Sequence, residues 1–268
     1  MRKILIRGGG DLATGVAVRL HRCGFQVAIA ELAQPLSVRR WVSFSEAVYD
    51  GRFNVEDVTS VSVGSAAEIE QAWADGELPV MVDPDLAMME QISFDAMVDA
   101  RLAKQVETPQ LMRRIFTVGL GPGFTAGQNC HAAIETERGH TLGRVYWTGS
   151  TKPDSGVPEG DPRRVFRAPE DGTVEVLADI GSSVIAGDLM AKVAGLPVLA
   201  PLNGVIRGMI RPGIHVRKGV KIGDVDPRGD PAYCRMVSDK AFAIAGSVLE
   251  AILVQARRLN GQGQGDAS

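Results

Sequence analysis

A glycine turn between an apolar strand and an amphipathic helix, strand ends carrying glycines or charges, and an internal repeat predict an α/β protein in three parts. These are a Rossmann-like, mostly parallel sheet domain with an antiparallel extension over 1–160, a smaller all-β domain over 161–230, and a C-terminal helix with a disordered tail over 231–268. A chain of 268 residues suits more than one domain. Hydrophobic residues at 45% promise a full core, and a net charge of -3 offers no footprint for nucleic acid. Cys23, Cys130 and Cys234 are odd in number and far apart, which fits a reducing compartment rather than a disulfide framework. No apolar run nears the about 18 residues of a membrane helix. Charge returns at Arg7 soon after the basic start, leaving no signal-peptide core. A cytoplasmic protein with no membrane and no nucleic-acid partner is expected.

The first element is a strand over Lys3–Arg7, closed by Gly8-Gly9-Gly10. From Asp11 the period changes: Ala13, Val16, Ala17 and Leu20 fall at three- and four-residue steps, one face of a helix. Gly24 follows as a left-handed cap, and Gln26 to Ala30 forms a second strand ending at Glu31. Gly8-x-Gly10-x-x-Ala13 fits the looser dinucleotide fingerprint: a tight turn, a close backbone approach to a pyrophosphate, and a small residue where helix meets strand. Amides at the helix start would face the anion. Glu31 takes the place of the ribose-binding acid. Asp11, at the helix start, would repel a pyrophosphate unless it turned away or capped the helix. Gly8, Gly9, Gly10, Asp11, Ala13 and Glu31 are therefore candidate cofactor contacts; a glycine turn that merely joins strand to helix is the plain alternative.

Further strands are predicted over Val58–Val63, Val80–Val82, Ala96–Val98 and Ile115–Val118, with a helix over Ala66–Trp73. Their ends carry Asp83, Asp99 with Arg101, and Gly119-Leu120-Gly121-Pro122-Gly123, where an open parallel sheet binds its ligands. The amides of Gly119, Gly121 and Gly123 could form an anion nest or serve a plain chain reversal. Arg39, beside Arg40, could pair with a phosphate or belong to an exposed basic turn. Strands at His131–Glu135 and Arg144–Trp147 would form the antiparallel extension. No residues are assigned to catalysis or to a metal.

Pro153, Pro158, Gly160 and Pro162 mark a linker. Ala168-Pro169-Glu170-Asp171-Gly172 then recurs as Ala200-Pro201-Leu202-Asn203-Gly204, and Gly181, Val184 and Gly187 recur as Gly213, Val216 and Gly219. Two such halves resemble the barrel-sandwich hybrid of biotinyl and lipoyl domains. The tip at Ala194-Gly195 lacks the carrier lysine, so covalent cofactor attachment is not expected. The last helix starts at Ser238, with an apolar stripe of Ala245, Val248, Leu249, Ile252, Leu253 and Ala256 that should pack on the body.

Several stretches together resemble one bacterial family. They include Arg7-Gly8-Gly9-Gly10-Asp11-Leu12-Ala13, Gln34-Pro35-Leu36-Ser37-Val38-Arg39-Arg40 and Gly119-Leu120-Gly121-Pro122-Gly123-Phe124-Thr125-Ala126-Gly127. Arg138-Gly139-His140-Thr141-Leu142-Gly143-Arg144 and Ser238-Asp239-Lys240-Ala241 belong with them. The sequence resembles the selenium-dependent molybdenum hydroxylase accessory proteins, the YqeB family; its N-terminal part is also similar to xanthine dehydrogenase accessory factors. The resemblance implies a maturation role for molybdenum hydroxylases, with a molybdopterin-type cofactor, free of nucleotide or in its dinucleotide form. It implies as partners the hydroxylase apo-enzyme or other maturation proteins, and leaves homo-oligomers open. Two other readings stand beside it: a nicotinamide-dependent oxidoreductase using NAD(P), and a non-catalytic scaffold that docks on the hydroxylase.

Overall fold

A computed structural model describes residues 1–106, 109–154, 156 and 161–262. The expected linker positions Pro158 and Gly160, and the tail beyond Gln262, lie outside the described residues.

The N-terminal part begins as the apolar periodicity predicts. Strand β1 (Lys3–Arg7) leads through the glycine turn into helix α1 (Asp11–Arg22), and β2 (Gln26–Glu31) pairs parallel to β1. A short helix α2 (Ala47–Asp50) precedes a hairpin of β3 (Arg52–Val55) and β4 (Val58–Val63), turned at Glu56 with φ +53°. Helix α3 (Ala66–Ala74), capped by Ser65, leads to β5 (Leu78–Val82). Then come β6 (Ala96–Asp99), β7 (Phe116–Leu120), β8 (Thr125–Ala126), β9 (Ala132–Ile134), β10 (Val145–Tyr146) and β11 (Gly149–Ser150).

Nine of these strands form one mixed sheet in the order β10-β9-β7-β6-β1-β2-β5-β4-β3, while β8 and β11 pair separately. Its inner pairs are parallel; β3 and β10, at the two edges, are antiparallel to their neighbours. Because strand side chains alternate, Ile4, Ile6, Val27 and Ile29 face one core, and Leu5, Ala28 and Met97 the other. Helix α4 (Asp239–Gln262) packs against α1 on the first face, so closely that a Cβ on Gly15 would meet the Ala241 Cβ at 2.7 Å.

The C-terminal part requires a correction. It consists of β12 (Val165–Arg167), β13 (Gly172–Val176), β14 (Ser183–Val184), β15 (Leu189–Val193), β16 (Leu196–Leu199), β17 (Gly204–Met209), β18 (His215–Val216) and β19 (Lys221–Asp226). These form two small antiparallel sheets, β12-β19-β17-β14 and β16-β15-β13-β18, and not a lipoyl-like barrel sandwich. The fold class is therefore a nine-stranded mixed sheet with small antiparallel sheets, rather than a Rossmann-like domain joined to a barrel-sandwich hybrid. The repeat itself has a physical counterpart: Gly181, Gly187, Gly213 and Gly219 all turn at positive φ, from +81° to +94°. Local turn chemistry sets where strands begin and end; it does not encode how the sheets associate.

Candidate functional site

The sheet order changes direction at β1, whose neighbours β2 and β6 are reached by connections running to opposite sides. Such a switch point leaves a crevice at the carboxyl ends of the strands. In this crevice lies a cleft of about 1270 Å³. One wall is the Gly8–Gly10 turn and the start of α1; the other is built from Arg164, Arg207, Lys221, Asp226 and Arg228.

The turn is held from behind. Gly8 has φ +96° and its N–H donates to the Ala30 carbonyl at 2.8 Å. Gly9 donates to Glu31 Oε2 at 2.6 Å, and Leu32 donates to Glu31 Oε1 at 2.7 Å. Both Glu31 oxygens thus serve the backbone. A Cβ on Gly9 would sit 3.0 Å from the Ser45 N, whereas one on Gly10 would meet nothing nearer than Ser37 Oγ at 3.7 Å. Gly10 is the N-cap of α1 without a side-chain cap bond, so the helix start opens on the cleft. Asp11 does not cap it either: its Oδ2 lies 3.5 Å from Arg39 Nη1.

Arg39 and Arg40 are both buried, contrary to an exposed basic turn. Arg40 is committed to Asp179, at 2.6 and 2.7 Å, and to the Met209 carbonyl. Arg39 lines the cleft and donates to the carbonyls of Tyr233 and Met236 at 3.1 and 3.3 Å. Burial lowers its pKa and the Asp11 carboxylate opposes that, but a guanidinium stays charged.

In the far wall, Asp224 Oδ2 accepts from Arg164 at 2.7 Å and from Arg207 at 2.6 Å. Burial would raise the Asp224 pKa, yet Lys221, Arg207 and Arg164 hold it below the ordinary carboxylate range. Asp226 accepts from Arg228 and Arg207; burial again opposes ionisation, and those partners pull it down to about 2. Among the described residues, nine arginines and lysines and five carboxylates line the cleft, so positive charge stays in excess even with Asp99 and Asp224 behind the walls.

Of the expected contacts, Gly8, Gly9, Gly10, Asp11, Ala13, Glu31 and Arg39 gather in this cleft. Gly119, Gly121 and Gly123 do not line it. A Cβ on Gly119 would fall 2.1 Å from the Phe124 ring, one on Gly123 2.2 Å from the Ala103 carbonyl oxygen, and Gly121 turns at φ +91°. Close packing explains Gly119 and Gly123, and the left-handed turn explains Gly121. Sequence reasoning missed Arg164, Arg207, Lys221 and Arg228, although charged residues within the apolar β19 run Lys221-Ile222-Gly223-Asp224-Val225-Asp226 were a visible signal. Among the described residues, no cluster of three His, Cys, Asp or Glu could hold a metal. Cys130 and Cys234 are buried, and burial pushes the Cys130 thiol up to about 12, away from thiolate chemistry.

No protein-family model matches the chain. A search of curated proteins finds "Uncharacterized protein YqeB" of Escherichia coli (strain K12), 44% identical over 255 residues, covering 94% of this chain and 47% of that protein. The chain is a homologue of YqeB. It spans about half the length of that relative. Similar solved structures include an aspartoacylase family protein of Mesorhizobium loti and the ectoine utilization protein EutE of Ruegeria pomeroyi, each 13% identical with a TM-score of 0.25. A succinylglutamate desuccinylase/aspartoacylase of Rhodobacter sphaeroides gives 13% and 0.28; all three alignments cover 84% of both chains. The expectation of a maturation role for selenium-dependent molybdenum hydroxylases is set aside: no name among these matches mentions molybdenum or selenium, and the solved structures found bear the names of aspartoacylase and desuccinylase proteins. At such TM-scores those matches carry no activity to this chain either.

Proposed function

We propose that the chain binds a small phosphate-bearing molecule in the cleft between the Gly8–Gly10 turn and the cationic wall of Arg164, Arg207, Lys221 and Arg228. One observation carries the reading: an uncapped helix start, open at Gly10, faces clustered arginines across one cleft. Helix-start amides and the helix dipole favour an anion, and guanidinium forks match phosphate oxygens. Asp11 would oppose an anion, but its carboxylate is directed at Arg39. Glu31 supports the turn through Gly9 and Leu32 and is not free for a ligand's hydroxyl groups. The cleft exceeds the roughly 300–1,000 Å³ of ordinary small-molecule sites, which suits a ligand of nucleotide size.

Titration calorimetry with inorganic phosphate, ADP and NAD tests this. Saturable binding of at least one, weakening as salt rises, is the expected result. Absence of binding by all three at low ionic strength would overturn it.

A further inference from the structure

Lys221 opens β19, and its side chain lines both the main cleft and a smaller cavity of about 470 Å³ beside it. Among the described residues it is the one cation of the main cleft with neither a hydrogen bond nor an ion pair. The carboxylate nearest in its own strand, Asp224, has Oδ2 committed to Arg164 and Arg207, and its Oδ1 points at Gly208. A partly buried amine without a side-chain partner, and flanked by two guanidinium groups, is poorly placed to keep a proton.

We propose that Lys221 is a nucleophilic amine that forms an imine with an aldehyde or ketone carried by the phosphate-bearing ligand of this cleft. For the ligand's class the inference rests on the phosphate reading above. The charged groups that face Lys221 are Asp224 on its own strand, Asp11 from α1, Arg207 from β17, and Arg164 just before β12. Burial is the largest influence and lowers the Lys221 pKa; the two carboxylates oppose it and the two arginines add to it, leaving it below an ordinary lysine. Each unit of lowering makes the neutral, reactive amine about tenfold more abundant near pH 7. The neutral Nζ attacks the carbonyl carbon to give a carbinolamine, which loses one water to leave a C=N bond. Amine plus carbonyl gives imine plus water, so no oxidant or reductant is required. Phosphate bound at the helix start would hold the carbonyl in reach, turning a bimolecular encounter into an intramolecular one.

Pyridoxal 5′-phosphate, which carries both an aldehyde and a phosphate, is a direct probe. The full chain is incubated with it at near-stoichiometric ratio and treated with borohydride, whose hydride converts the imine to a stable secondary amine. The labelled lysine is then located by peptide mass spectrometry. Lys221 should be the dominant site of label, ahead of exposed lysines such as Lys104 and Lys218. Lys221→Arg should remove that label. Labelling spread over surface lysines with Lys221 spared overturns the proposal. Unphosphorylated pyridoxal separates the two readings. If it labels Lys221 as well as the phosphorylated probe does, and inorganic phosphate does not compete, the amine assignment stands and the phosphate reading falls. If phosphate binds by calorimetry while neither aldehyde labels Lys221, the reverse holds.

Discussion

Gly10 has an ordinary φ of -69°, and a side chain there would enter open space toward Ser37, so the position tolerates a larger residue structurally but not as a ligand contact. Gly10→Val is expected to fold normally and to lower phosphate or ADP affinity by roughly tenfold or more, about 1.4 kcal/mol, measured by calorimetry. Gly9 is the contrasting case, since a Cβ would press on the backbone of Ser45 at 3.0 Å. Glu31 acts on the same turn from beneath. Glu31→Ala leaves the buried Gly9 amide, and the exposed Leu32 amide beside it, without their charged acceptor, and should destabilise the protein by about 1.5–3 kcal/mol in urea unfolding. A loss confined to ligand affinity, with unchanged stability, would instead return Glu31 to a ligand-binding role. Asp226 adds a pH dependence. Its carboxyl lies near 2 in the folded protein against an ordinary 3.8, so the stability it contributes is present above about pH 4 and lost as pH falls toward 2. The size is on the order of 2 kcal/mol, and Asp226→Asn should flatten that part of a stability–pH profile.

At the scale of elements, what the sequence disclosed was local and periodic. The strand, glycine turn, helix and strand over Lys3–Glu31 were legible because their apolar spacing and their turn residues agree. The repeat located turns at Gly181, Gly187, Gly213 and Gly219, but left unsaid which strands would share a sheet. The antiparallel edge β3 was missed because the alternation of Arg52-Phe53-Asn54-Val55 lasts only four residues, with one fully buried side chain. Half of the cleft was hidden for a similar reason: Arg164, Arg207 and Lys221 come together only through the pairing of β12 and β17 with β19. Helix α4 shows the limit of a stripe. Val248 and Ile252 are buried as its period requires, yet Leu253 is half exposed, and the seam is set instead by Ala241 against Gly15 of α1. Small residues let these helices approach. Gly15→Val should therefore push the helices apart or strain the core, at a cost of about 1–3 kcal/mol read from the shift in the unfolding midpoint. A neutral result would mean that α4 is not clamped to α1 in solution.

For the whole molecule, the cleft exists because the small sheets dock onto the large one, and its two walls belong to different parts of the chain. Arg40 is the centre of that docking: buried, it reaches Asp179 and the Met209 carbonyl across the boundary, while the Val38 carbonyl accepts from the Met209 N–H nearby. Arg211 repeats the link nearer the surface, with Glu46 at 2.8 Å and with Asp50. Removing one partner of a buried pair costs more than the pair contributes, because the partner groups lose their donor inside the protein. Asp179 is partly exposed, which tempers the loss. Arg40→Ala is thus expected to cost about 1–3 kcal/mol, with Arg211→Ala costing less. The two parts have separate cores, one spanning Ile4 to Ile252 and the other Phe166 to Cys234, so weaker docking can separate their unfolding. The measurement is calorimetric unfolding of Arg40→Ala with and without ADP. The expected outcome is a broadened or divided transition that ADP draws back together, since a ligand held by both walls stabilises only their docked arrangement. A single sharp transition at the wild-type midpoint would show that Arg40 does not hold the walls together.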